Sequence, residues 1–104
     1  MALIVQLETE FGESLEQFLD NGEILSLVNE TRDMSSDCPR LVDYIDPYGN
    51  TVFNYLQFDK LREELSELRQ AAKTQQALQI LILLDTMITN AQSDVHRYIK
   101  MYGD

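Results

Sequence analysis

The stretch Y-I-D-P-Y-G-N-T-V-F-N-Y-L-Q, residues 44–57, decides between two folds. Asp46-Pro47-Tyr48-Gly49 reads as a β-turn: aspartate suits the first position, proline supplies the φ of about −65° wanted at the second, and glycine suits the last. Beyond this turn the chain has two architectural readings. In one it feeds a helix. Asn50 or Thr51 caps a helix that starts at once, or Asn54 caps one with Gln57 three residues later, close to a capping box. The protein is then mainly α. In the other, Leu41–Ile45 pairs with Thr51–Tyr55 across the Asp46–Asn50 loop, and the protein is α+β. A third, functional reading makes the stretch a binding loop that exposes Tyr48, Asn50, Asn54 and Tyr55.

Downstream the period turns helical. Phe58, Leu61, Leu65 and Leu68 are spaced i, i+3, i+7, i+10, with Lys60, Glu63, Glu64, Glu67 and Arg69 between them. This spacing predicts an amphipathic helix over 56–73. Thr74 then offers an N-cap. From Ala77 to Leu84 only Gln79 is polar, so the next helix belongs in the core. A buried strand over Ile80–Leu84 is the rival, and the lack of flanking Gly or Pro argues against it. Leu84, Met87, Ile88, Ala91, Val95, Tyr98, Ile99 and Tyr102 hold one stripe, which predicts a single helix over 75–101 with Gly103 as its stop. The alternative is a break near Asn90–Asp94, with Ser93 capping a final helix. The favoured fold is therefore mainly α, a small helical bundle around an antiparallel pair, 56–73 against 75–101. The runner-up is α+β with a short strand or hairpin near 41–55.

Upstream, residues 2–7 alternate Leu3, Val5 and Leu7, which suits a short strand or an extended arm. Leu15, Phe18 and Leu19 fall at helical spacing, with Ser14 before them as a cap and Asn21-Gly22 after them as a stop. Ile24, Leu25, Leu27 and Val28 suggest a second short helix, fading into the polar run Thr31–Cys38. With 104 residues the chain is one domain, 1–104. It divides into an acidic first third, 8–37, the turn motif 46–54 and a helical C-terminal half, 56–102.

The net charge is −10, and residues 8–37 carry −8 of it, with Arg32 as their one base. Acid on this scale repels nucleic acid and anionic membranes and attracts basic partners, or it simply aids solubility. Lys60, Arg62, Arg69 and Lys73 are interleaved with acids, so no basic stripe for nucleic acid exists. Ile80–Leu84 is the longest apolar run, far below the ~20 residues of a spanning helix. Ala2–Val5 is too short for a signal-peptide core. Cys38 is the only cysteine, which rules out an internal disulfide and fits a reducing compartment. These features predict a soluble, cytoplasmic protein.

Chemistry-bearing patterns are sparse. A calcium loop counted from Asp43 fails, because position six is Tyr48 and position twelve is Asn54. Cys38 and His96 fall short of the four ligands of a structural zinc site, and no third group orients them as a nucleophile–base pair. Glu63–Glu64 and Asp33–Asp37 are carboxylate pairs in polar surroundings, without the burial that tunes a general acid. No catalytic, cofactor-binding or metal-binding residue is assigned. Tyr98 and Tyr102 are four apart on one face, which suits core packing. A functional reading makes them, with Met87, Ile88 and Met101, an apolar seam for a second protomer or another protein.

Asp46–Asn54 (D-P-Y-G-N-T-V-F-N), Gln57, the Leu61…Glu64-Leu65 helix and the closing Y-x-K-x-x-G-D of residues 98–104 resemble a set of small uncharacterised bacterial proteins. Those share a D-P-Y-G-[DN]-T-V-F-N core and a similar C-terminus, over about the last two-thirds of this chain. The resemblance implies a bacterial or phage origin and brings no catalytic residues; the acidic first third lies outside it. The expected function is a non-enzymatic protein–protein interaction module. Its concrete form is an immunity- or antitoxin-like inhibitor whose acidic surface covers a basic partner, without nucleic acid, membrane or cofactor. The partner-binding candidates are Glu8, Glu10, Glu13, Glu16, Asp20, Glu23, Tyr48, Asn50 and Asn54. The alternatives are a homodimeric scaffold or adaptor, and a small ligand-binding protein or enzyme centred on Asp46, Tyr48, Asn50, Asn54 and His96.

Overall fold

A computed structural model describes residues 2–32 and 39–103. Cys38 and the Asp33–Asp37 carboxylate pair lie outside the described residues. The chain runs β1 (Leu3–Thr9), β2 (Ser14–Asp20), α1 (Glu23–Thr31), a 3-10 turn (Leu41–Tyr44), β3 (Asn50–Phe53), a second 3-10 turn (Tyr55–Gln57), α2 (Phe58–Ala71), α3 (Gln75–Ala91) and β4 (Arg97–Gly103). The strands form one antiparallel sheet in the order β2-β1-β4-β3. The expected mainly α bundle is thus overturned: this is an α+β protein with three helices laid on one face of a four-stranded sheet.

The core is the layer between sheet and helices. Leu3, Val5 and Leu7 of β1 and Ile99 and Met101 of β4 point into it. They meet Ile24 and Val28 of α1, Phe58, Leu61, Leu65 and Leu68 of α2, and Leu81, Leu84 and Ile88 of α3. Each fully buried aliphatic side chain contributes about 1.5–3 kcal/mol relative to exposure. The alternation in 2–7 therefore does form a strand. The amphipathic pattern of α2 and the Ile80–Leu84 helix also hold, and α2 packs against α3, though not over the expected 75–101. Thr74 Oγ1 accepts from the Ala77 amide (3.1 Å) as the N-cap of α3.

The expectations that fail do so for reasons visible in the contacts. Leu15, Phe18 and Leu19 lie on β2, not on a helix, and β2 is the exposed edge strand beside β1. Leu41–Ile45 is no strand: a buried carboxylate, Glu64 of α2, accepts from the amides of Leu41 and Val42 (both 3.0 Å) and winds the segment into a 3-10 turn. β3 consequently pairs with β4, not with 41–45. The single helix over 75–101 stops at Ala91, so the C-terminal half is not helical to 102. After it Ser93 Oγ donates to the Asn90 carbonyl (2.8 Å), and Asp94 Oδ1 accepts from the His96 amide (2.9 Å). This polar corner launches β4, and Gly103 sits at the end of a strand instead of stopping a helix.

Four polar side chains of the 46–57 motif bond within the motif. Asp46 Oδ1 accepts from the Tyr48 amide (2.9 Å) and Thr51 Oγ1 from the Asp46 amide (2.8 Å), closing the Pro47 turn. Asn54 and Gln57 form a reciprocal capping box: Asn54 Oδ1 accepts from the Leu56 amide (3.0 Å) and Gln57 Oε1 from the Asn54 amide (2.9 Å). It starts the 3-10 turn that runs into α2.

A charge cluster ties α1 to the segment before β3. The Arg40 guanidinium donates to Asp43 Oδ1 (2.9 Å), Thr31 Oγ1 (2.8 Å) and the Val28 carbonyl (3.1 Å). The Arg40 hydrogen bond, more than any other cause, holds the Asp43 carboxyl below its ordinary 3.8. A carboxyl depressed on folding stabilises the protein above its unfolded value and loses that contribution as pH falls through the folded value. Urea unfolding between about pH 5 and about pH 2 is therefore expected to show a stability drop starting below 3.8 that is shallower in Asp43→Asn.

Candidate functional site

The sheet has two ends, and the acidic candidates divide between them. Antiparallel pairing puts Glu8 opposite Tyr98 and Thr9 opposite Arg97 at one end, and Leu3 opposite both Asp20 and Gly103 at the other. The first is the hairpin end, formed by the β1–β2 turn, the α3–β4 corner and the chain leaving β3. The second is the turn end, formed by the Asp46–Gly49 turn and the start of α1.

Glu8, Glu10, Glu13 and Glu16 gather at the hairpin end, and Asn54 leaves β3 there. Asp20, Glu23, Tyr48 and Asn50 lie at the turn end. Asp20 is committed to the fold. Its side chain is fully buried, with Oδ1 accepting from the Gly22 (3.2 Å) and Glu23 (2.9 Å) amides and Oδ2 from the Ile24 amide (3.0 Å). A carboxylate is favoured there because the first amides of α1 lack intrahelical partners and point toward it. Glu23 sits in the first turn of the same helix. Tyr48 and Asn50 are exposed, and the Asn54 side chain is used in its cap.

Asp46, Tyr48 and Asn50 thus lie at the start of β3 or before it, and Asn54 and the His96 corner lie beyond its other end. The five residues of the enzyme or ligand-site reading do not converge. His96 is exposed, with Nδ1 3.3 Å from Glu10 Oε2. Among the described residues no group of three or more His, Cys, Asp or Glu side chains is arranged to hold a metal ion.

The hairpin end also carries what sequence reasoning missed. Leu56 is 88% exposed and Phe11 82%, the two highest values among the exposed large apolar side chains of the described residues. Leu56 joins Asn54, Tyr55, Val95 and Tyr98 around a shallow groove. Phe11 stands at the β1–β2 turn, and the Glu10–His96 contact ties that turn to the corner bearing Val95. The turn is firmly built. Thr9 Oγ1 accepts from the Phe11 and Glu13 amides (both 3.2 Å), the Thr9 amide donates to the Glu13 carbonyl (2.9 Å), and Gly12 takes φ +85°. Phe11 is therefore displayed on a rigid support between Glu10 and Glu13. The available signal was the quartet Glu10-Phe11-Gly12-Glu13: a large aromatic beside a turn glycine, inside an acidic run.

The uncovered sheet face runs away from this end. Tyr102 lies opposite Ile4, yet its hydroxyl donates to Glu8 Oε2, so its ring lies along the face across the Gln6–Lys100 pair. Lys100 Nζ stands 5.0 Å from the ring centroid. Burial, and after it the Glu8 hydrogen bond, holds the Tyr102 phenol above its usual 10.0.

No protein-family model matches the chain, and no curated protein or solved structure does so. Among the described residues no helix is long and apolar enough to cross a membrane.

Proposed function

We propose that this chain is a non-enzymatic protein–protein interaction module of bacterial or phage origin that docks, through its hairpin end, onto a basic surface of another protein, as an immunity- or antitoxin-like inhibitor does. The observation that carries the reading is the coincidence, at one end of the sheet, of the two most exposed large apolar side chains among the described residues with Glu10 and Glu13. A docking surface needs an apolar centre that is desolvated on contact and a charged rim that sets orientation and on-rate. Phe11, Leu56 and Val95 supply the first, and the glutamates supply the second. A preformed turn also spares the ordering entropy that a floppy loop would lose on binding.

Selection of binders from an unbiased displayed-peptide library tests this. Selected peptides are expected to combine Lys or Arg with large apolar residues. The double variant Glu10→Lys/Glu13→Lys is expected to weaken them at least tenfold, about 1.4 kcal/mol. Phe11→Ser is expected to do the same. Peptides without basic residues, or binding untouched by both variants, would overturn the reading.

A further inference from the structure

A sheet edge presents a row of backbone N–H and C=O groups without strand partners, and proteins blunt such edges with short strands, proline, lysine or bulges. The two edges of this sheet are treated differently. β3 is four residues long, enters from the Pro47 turn and ends at the Asn54 cap. β2 runs over seven residues, S-L-E-Q-F-L-D, without proline, glycine or lysine. Its register shift falls near its start, opposite Leu7 and Glu8. The sheet order puts β1 on one side of β2 and no strand on the other. Among the described residues, no backbone group of 14–20 bonds to the backbone of a segment other than β1, and Ser14 Oγ reaches the Glu16 carbonyl only within the strand (3.5 Å).

We infer that this edge takes a fifth strand: an extended, basic segment of the protein partner, running on from the hairpin end along β2. The inference rests on the docking reading for the basic character of that partner. An added strand satisfies the open backbone row bond for bond, and side chains at alternate positions set which strand fits. Glu16 lies opposite the core-facing Leu7, and its Oε2 accepts from Asn90 Nδ2 of α3 (3.1 Å), so an exposed carboxylate stands on the helix side of the edge. Glu13 precedes the strand on the hairpin. Leu19, half exposed, lies on the other face beside Ile4. The matching segment therefore alternates Lys or Arg, toward the helices, with apolar residues on the side of Leu19. A second copy would bring the same acids, Glu13 and Glu16, to this edge a second time, and like charges opposed across strands are destabilising.

Amide hydrogen exchange of the full wild-type chain tests it, with an end-capped, alternating Lys–Val octapeptide at low ionic strength as the probe. Successive residues of a strand turn their backbone groups to opposite edges, so saturating peptide is expected to slow exchange about tenfold at every second residue of 14–20. The residues between them, already paired with β1, are expected to change little. An alternating Glu–Val octapeptide is expected to slow none of them. Glu16→Lys changes an exposed site, and far-UV circular dichroism checks that it folds. It is expected to weaken the Lys–Val peptide about threefold, the scale of a cross-strand charge pair. Phe11→Ser separates this inference from the docking reading: it is expected to weaken the library-selected binders and to leave the Lys–Val peptide unchanged. No slowing in β2, slowing without a period of two, slowing confined to the surroundings of Phe11 and Leu56, or equal slowing by the Glu–Val peptide would overturn the inference. So would the same pattern in the free chain at high concentration, the mark of a second copy on this edge.

Discussion

Replacing Asp20 with alanine is expected to lower the unfolding free energy by about 3 kcal/mol, well above the ~1 kcal/mol of an ordinary exposed cap. The difference comes from burial. Asp20 has no exposed surface, and its two oxygens serve three consecutive unsatisfied amides at the start of α1, those of Gly22, Glu23 and Ile24. Alanine removes every acceptor and leaves the Ile24 amide unpaired where it is buried and the other two where they are partly buried. For a domain of this size the loss corresponds to a melting temperature lower by roughly 15 °C. Asp20→Asn keeps one oxygen in place and is expected to recover more than half of the loss. Thermal and urea unfolding followed by circular dichroism measure both variants. In library binding the Asn variant is expected to match the wild type, which separates Asp20 from the glutamates of the hairpin end.

Gly103→Ala is expected to be as damaging, at about 3 kcal/mol, the upper end for overpacking. A Cβ on Gly103 would lie 2.3 Å from the Pro47 carbonyl oxygen and 2.8 Å from that of Asp46. Both are backbone atoms inside a hydrogen-bonded turn, so no side-chain rotation relieves the clash. The Gly103 amide also donates to the Gly49 carbonyl at 2.7 Å. Moving the turn away breaks this bond and strains the β3–β4 pairing next to it. Here the two separated halves of the sequence motif, D-P-Y-G and the glycine of Y-x-K-x-x-G, meet. The glycine is small so that the proline turn can rest on the last strand. Hydrogen exchange is expected to report the damage first in residues 50–53 and 99–102, while α2 and α3 stay protected. Equal loss of protection throughout the molecule would contradict this role for Gly103.

Long, self-contained patterns were legible in the sequence. Helices α1, α2 and α3, the Thr74 cap and the Asn54–Gln57 capping box follow from periods and caps that need no distant partner. β4 was hidden because four residues is close to one helical turn and is also two strand repeats. Tyr98 and Tyr102 share a face either way, and only Ile99 and Met101, buried on the opposite side, reveal the period of two. β2 was hidden because an edge strand buries little: its side chains are mostly exposed, so alternation leaves no mark on its composition. The fate of Leu41–Ile45 hangs on Glu64, more than twenty positions away, which no local rule connects. The acidic third was visible as composition, but its division was not. Folding sends Asp20 and Glu23 to one end of the sheet and Glu10 and Glu13 to the other, and strand register alone decides this.

The most direct measurement of the docking claim is the association rate of the strongest library-selected binder as ionic strength rises. Steering by Glu10 and Glu13 predicts a rate that falls steeply as the screening length shrinks from about 30 Å to about 8 Å, with the slope flattened in Glu10→Lys/Glu13→Lys. A rate indifferent to salt in the wild type would contradict it.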